Sequence, residues 1–181
     1  MPRPERWVAF IRAINGSPHN RIRMVELAGL LTEAGCADVS WHIQTGNMLF
    51  AASGDREDIA EGIEHRLEGW GMRRADVMLR TPAELSELVA RPLPEIDPTR
   101  FEMAASFLRR PPELVDTAWF TERGCIVAHL DDTVLVMASP KDGPLRGGGN
   151  GVIEQRWRVA ATSRWWGVVE QVAAKAVALD R

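Results

Sequence analysis

The chain has 181 residues, 45% of them hydrophobic, which is enough to bury a sizeable core in one large domain or two small ones. Lys and Arg number 22 against 25 Asp and Glu, a net charge of -3 that is too near balance to mark the whole protein as a nucleic-acid or membrane binder. Cys36 and Cys125, the only cysteines, lie in no metal-holding or redox spacing and read as buried thiols of a reducing cytosol. The apolar run Trp7 to Ile11 is far shorter than a signal or spanning segment, so the expectation is a soluble cytoplasmic protein without membrane association.

Trp7-Val8-Ala9-Phe10-Ile11 is continuously apolar and suits a central strand. Arg12 to Arg23 holds Asn15-Gly16-Ser17-Pro18, which breaks both helix and strand, and leads into a helix with Met24, Leu27, Ala28 and Leu31 at helical spacing and Gly35 as its stop. Val39, Trp41 and Ile43 alternate with Ser40 and His42 as a half-buried strand. The turn Gln44-Thr45-Gly46-Asn47 follows, then a second strand from Met48 to Ala51. Asp55 opens a helix whose stripe is Ile59, Ile63 and Leu67, with Trp70 at its end and Gly71 as stop. Ala75 to Arg80 is another strand. Thr81-Pro82-Ala83-Glu84 starts a helix, with Thr at the cap, Pro at the first turn and Glu closing a capping box.

This order, β-α-β-β-α-β plus a helix, is a split β-α-β arrangement of the ferredoxin-like kind and is complete by residue 91. Residues 92–99 contain three prolines and read as a connection. Residues 100–181 begin the same order again: a strand from Phe101 to Leu108, a short helix started by Pro111-Pro112, and a hairpin of Cys125 to Leu130 and Thr133 to Ala138 around Asp131-Asp132. A long loop runs from Ser139 to Gly149. Asn150 is placed to cap a helix holding Ile153 and Trp157, and Thr162 to cap a last helix with a stripe of Trp165, Val169, Val172, Ala176 and Leu179. No fourth strand is required in this half, and no sequence-level repeat between the halves is visible. The predicted fold class is α+β, with two ferredoxin-like subdomains built on antiparallel sheets.

Arg12-Ala13-Ile14-Asn15, Asn20-Arg21-Ile22-Arg23-Met24 entering a helix, and Ile43-Gln44-Thr45-Gly46-Asn47 before a strand together resemble the bacterial family catalogued as domain of unknown function 1697. Asn150-Gly151-Val152-Ile153-Glu154 and Ala161-Thr162-Ser163-Arg164 resemble its closing motif, so the likeness covers nearly the whole chain. The resemblance implies two ferredoxin-like subdomains and no established activity. Two loops depart from it: Gly16-Ser17-Pro18 replaces a small aliphatic residue and two glycines, and Trp165-Trp166-Gly167 replaces an Asn-Trp-Asn order.

In such a plait the first two strands run the same way, so the loop after one and the turn after the other share an end of the sheet. Arg12, Asn15, Asn20, Arg21 and Arg23, with His19, should therefore meet Gln44, Thr45 and Asn47 there. The cluster suits a carboxylate, a phosphate or a nucleotide base. The competing reading is structural, because loop Asn and Gln side chains commonly hold turns through backbone hydrogen bonds. Arg12 is either a ligand contact or an arginine laid over Trp7 or Trp41. Gly147 to Gly151 lacks a phosphate-loop pattern and reads as a surface loop.

No metal-ligand spacing, cofactor fingerprint or catalytic order is present, so no catalytic residue, metal or cofactor is assigned. The expectation is non-catalytic binding of a small anionic or nucleotide-like ligand at the loop end of the first subdomain. The alternative is an RNA-binding module, suggested by Arg3, Arg6, Arg12, Arg21 and Arg23 against Glu5 within residues 1–23. The sequence specifies no oligomeric state.

Overall fold

The computed structural model describes residues 4–16, 18–145 and 149–180. Arg3, Ser17, Arg146, Gly147 and Gly148, which enter the readings above, lie outside the described residues. The architecture is α+β, as expected, with two four-stranded antiparallel sheets and, among the described residues, six α-helices. The chain divides into two compact units, Met1–Leu88 with Val172–Arg181, and Val89–Gln171.

The first half runs β1 (Glu5–Ile11), a single 3-10 turn at Pro18–Asn20, α1 (Met24–Glu33), β2 (Ala37–His42), β3 (Asn47–Ala52), α2 (Arg56–Trp70), β4 (Val77–Arg80) and α3 (Pro82–Val89). The strands lie in the order β2-β3-β1-β4. Successive strand residues point to opposite faces. Trp7, Ala9 and Ile11 of β1, with Met48 and Phe50 of β3, therefore pack on one side against Leu27, Leu31, Ile63 and Leu67 of the helices. Val8, Phe10, Leu49 and Met78 on the opposite face are buried as well. A strand covered on both sides must be apolar at every position, which is why the run from Trp7 to Ile11 shows no alternation.

The capping box at α3 forms as expected: Thr81 N–H donates to Glu84 Oε2 at 2.8 Å and Glu84 N–H to Thr81 Oγ1 at 3.2 Å. Ile43 departs from the expected strand. It leaves β2 with φ 51° and is 45% exposed, so the hairpin loop is residues 43–46 and Asn47 is already the first residue of β3. On the edge strand β2, Lys175 Nζ donates to the Trp41 carbonyl at 2.6 Å, satisfying an edge acceptor.

The second half runs β5 (Phe101–Leu108), α4 (Ala118–Thr121), β6 (Ile126–Leu130), β7 (Val134–Pro140), α5 (Asn150–Trp157), β8 (Ala161–Trp165) and α6 (Trp166–Leu179), with strands in the order β6-β7-β5-β8. Three expectations are corrected. The short helix does not start at Pro111-Pro112 but at Ala118, where Asp116 Oδ1 accepts from Trp119 N–H at 3.2 Å and takes up a free donor of the first turn. Thr162 caps nothing: it lies in β8, the fourth strand, opposite Phe107 of β5, and Trp165 is a strand end at 42% exposure instead of a helix core position. Asn150 is inside α5, with Gly149 at the cap position, and its Oδ1 accepts a hydrogen bond from Ser163 Oγ. Of the expected α6 stripe, Val169, Val172 and Ala176 are buried and Leu179 is exposed.

The halves also share a repeat that the sequence reading missed. Phe10-Ile11-Arg12 and Phe107-Leu108-Arg109 close the first strand of each, and Gly35-Cys36 and Gly124-Cys125 precede the second. Cys36 N–H donates to Leu31 O at 3.0 Å and Cys125 N–H to Phe120 O at 3.1 Å. Glu64 of α2 accepts from Val77 N–H at 2.7 Å, and Glu154 of α5 from Ala161 N–H at 3.1 Å, so the same carboxylate starts the last strand of both sheets.

Candidate functional site

β3 is antiparallel to both β1 and β2, and β4 is antiparallel to β1, with Phe10 opposite Asn47 and Ile11 opposite Val77. Three connections therefore converge at one end of the first sheet: residues 12–23, the hairpin loop 43–46 and residues 71–76. Ile11 N–H donates to Gly46 O and Arg12 N–H to Asp76 O, each at 2.9 Å. Gly46 has φ +74°, and a Cβ there would lie 2.8 Å from Ile14 Cγ1 and 3.0 Å from Ile11 O, so only glycine fits.

The three asparagines act as clamps. Asn15 donates through Nδ2 to Ile22 O at 3.1 Å and Gln44 O at 3.0 Å, while its Oδ1 accepts from Ile22 N–H at 2.9 Å. Asn20, 1% exposed, donates to Arg73 O at 2.7 Å and accepts from Arg73 N–H at 3.0 Å. Asn47, fully buried, donates to His42 O at 3.1 Å and Thr45 Oγ1 at 3.0 Å. These bonds give each asparagine a structural role at the loop end. Removing Asn20 or Asn47 leaves part-buried backbone groups without their partner, at a cost of about 1–3 kcal/mol.

Arg12 lies over neither Trp7 nor Trp41. It donates from Nη1 to Arg74 O at 3.1 Å and stands 3.7 Å from Asp76 Oδ2, while Arg56 covers Trp7, 5.4 Å from its ring centre. Arg23 is tied to Glu26: its Nη2 lies 2.8 Å from Oε1 and its main-chain N–H donates to Oε2 at 3.2 Å. That hydrogen bond raises the Arg23 pKa and lowers that of Glu26.

Arg21 and the Gln44 side chain stay exposed. Arg73 and Arg74 join them, and sequence reasoning missed both. The signal was available, since β4 must start at the end where β1 finishes, and Arg73-Arg74 sits just before it. Among the described residues the guanidinium groups of Arg21, Arg73 and Arg74 have no ion-pair or hydrogen-bond partner. The Asn20 clamp holds Arg21 beside Arg73, and Arg12 holds the backbone of Arg74.

Backbone strain concentrates here too. Ala13, Asn15, Ile43 and Arg74 all have positive φ, and for β-branched Ile43 this conformation is costly, of order 1–3 kcal/mol. Beside the arginines a cleft of about 410 Å³ is lined by Glu64, Glu68, Met72, Arg73, Arg74 and Asp76. A wider cleft of about 740 Å³ at the opposite end of the sheet sets Glu5, Asp38 and Asp180 against the single Arg6, whereas the smaller cleft sets two arginines against its three carboxylates. Burial pushes the Cys36 thiol up to about 12 and raises that of Cys125, so neither is a thiolate nucleophile near neutral pH. Among the described residues no group of three or more His, Cys, Asp or Glu could hold a metal ion, and no helix is long and apolar enough to cross a membrane.

Residues 5–123 match the family described as Protein of unknown function (DUF1697). The chain belongs to this family. The asparagine clamps and Gly46 occupy the positions that carried the resemblance, which gives those positions of the DUF1697 chain a structural role. A solved structure, that of conserved bacterial protein SP0830 from Streptococcus pneumoniae, is similar to it with a TM-score of 0.68 and 16% identity, over 96% of this chain and 99% of that one. That likeness supports the fold alone. Comparison with curated proteins found no match.

Proposed function

We propose that the protein binds a small ligand bearing phosphate or carboxylate groups at the loop end of its first sheet. Asn15, Asn20 and Asn47 form the frame, and Arg21, Arg73, Arg74 and the Gln44 side chain face the ligand, with Arg12 and Thr45 behind them. The observation that carries the reading is the clamp between Asn20 and the Arg73 backbone. It ties the main chain next to Arg21 to that of Arg73, and both exposed guanidinium groups are without an ion-pair or hydrogen-bond partner among the described residues, an arrangement that favours an anion. Ile43, strained and exposed beside Gln44, offers an apolar contact for a nucleotide-like group.

A thermal-shift panel of phosphorylated and carboxylated metabolites tests this. Stabilisation by at least one phosphorylated member, reduced in Arg21→Ala and Arg73→Ala, is expected; a panel without any shift sinks the proposal.

Single-stranded RNA is the rival ligand, since the same arginines would meet a phosphodiester backbone. The strand aromatics Phe10 and Phe50 are buried, so RNA would be held through phosphates, without base stacking on the sheet. A gel shift with single-stranded RNA that weakens steeply with salt and is lost in Arg21→Ala would favour that rival.

We read residues 1–91 and 100–181, joined by the Pro-rich stretch 92–99, as two ferredoxin-like repeats, each followed by one helix. The matching strand orders support this reading. The two buried, unlinked thiols support a cytoplasmic setting.

A further inference from the structure

We propose that the second unit carries its own anion site, equivalent by internal repeat to that of the first and formed by Arg109, Arg110 and Arg158. The inference rests on the anion-binding reading of the first-unit arginines and extends it to a second, separate location. Arg12 follows β1 and donates its N–H to Asp76 O, just before β4; Arg109 follows β5 and donates its N–H to Ala160 O, just before β8, at the same 2.9 Å. Leu108 N–H donates to Thr133 O at 2.8 Å, as Ile11 N–H does to Gly46 O, so the β6–β7 turn sits where the β2–β3 turn sits.

The repeat extends to an unusual backbone. Arg74 and Arg158 each stand three residues before the start of the last strand, with φ 54° and 52°. Arginine gains nothing intrinsic from the left-handed region, which favours Gly and Asn. Arg158 takes this conformation as the C-cap of α5 and Arg74 in the connection after α2, and both side chains are exposed. Arg110 and Arg158 are exposed and, among the described residues, have no ion-pair or hydrogen-bond partner; Arg109 is half-buried behind them.

The turn opposite brings two carboxylates. Asp131 is already engaged by the N–H groups of Thr133 and Val134 and by the His129 ring, which leaves exposed Asp132 as the opposing charge. The ligand chemistry of the second site is a compact anion such as pyrophosphate.

Titration of the intact, ¹⁵N-labelled chain with inorganic pyrophosphate at low ionic strength separates the two sites. Two saturable sets of amide shifts are expected, one around Arg12, Arg21 and Arg74 and one around Arg109, Arg110 and Arg158. Arg110→Glu with Arg158→Glu should weaken the second set about tenfold or more while sparing the first. Arg21→Glu with Arg73→Glu should do the reverse. No saturable second set, or one that survives Arg110→Glu/Arg158→Glu, overturns the inference while leaving the first site standing. A second set that persists while the first is missing overturns the earlier reading alone. A uniform, non-saturating drift of all basic segments overturns both.

Discussion

Asn20 and Arg21 are adjacent in sequence and opposite in role. Asn20→Ala should lower stability by about 2–3 kcal/mol in urea unfolding, because it leaves the Arg73 N–H and C=O without their partner. Arg21→Ala should leave the unfolding midpoint unchanged and act only on ligand. Gly46→Ala meets Ile14 and the Ile11 carbonyl and forces a Cβ into a positive φ, for an expected loss of about 2–3 kcal/mol by the same measurement. Asp131 gives a pH signature. Burial disfavours its charge, but the N–H groups of Thr133 and Val134 and the His129 ring outweigh this and hold its pKa below the usual carboxylate range. Its contribution is therefore present above the unfolded-state value and is lost as pH falls through the folded one. The stability gap between wild type and Asp131→Ala should be full at pH 7 and shrink below about pH 4, where the unfolded-state carboxyl takes up its proton. An unchanged gap at low pH would contradict it. Residue identities told where polar side chains gather, but a sequence does not say whether an amide faces backbone or solvent. The sequence therefore marks Asn15 and Asn47 as ligand candidates, and the structure adds the backbone bonds they make.

Elements marked by strong local chemistry were legible. Thr81 and Glu84 cap α3 reciprocally, so Thr81→Ala should cost about 1 kcal/mol, readable as a lower melting temperature. Glu84→Gln, which can still reach the Thr81 N–H, should retain more of the stability. The first-half strands and helices were legible because apolar runs, helical stripes and glycine stops coincide there. β8 was misread because Thr162 followed by tryptophans imitates a helix start, whereas Ala161, Thr162 and Ser163 are set as a strand by pairing with β5, a partner more than fifty residues away that no local window contains. Ile43 was misread for a related reason. Its alternation with Trp41 fits a strand, and only the closure of a four-residue loop onto Asn47 turns it outward.

At the scale of the molecule, the α+β class and the antiparallel sheets followed from the order of elements, while the repeat did not. What recurs is short and scattered: a Phe-aliphatic-Arg strand end, a Gly-Cys pair, one glutamate and one left-handed arginine in each half. Each is fixed by backbone geometry at a sheet end, and the intervening residues are free to differ. The convergence of three connections on the first sheet end was half legible: the ends of β1 and β2 were joined by reasoning, and the start of β4, with Arg73 and Arg74, was left out. The proposed role of this end, held by asparagines, is to take an anion on its arginines. A crystal of the protein grown with inorganic pyrophosphate tests it most directly. Ordered density within hydrogen-bonding distance of Arg21 and Arg73, close to Gln44, is expected; a well-ordered loop end with no anion there rules the anion site out.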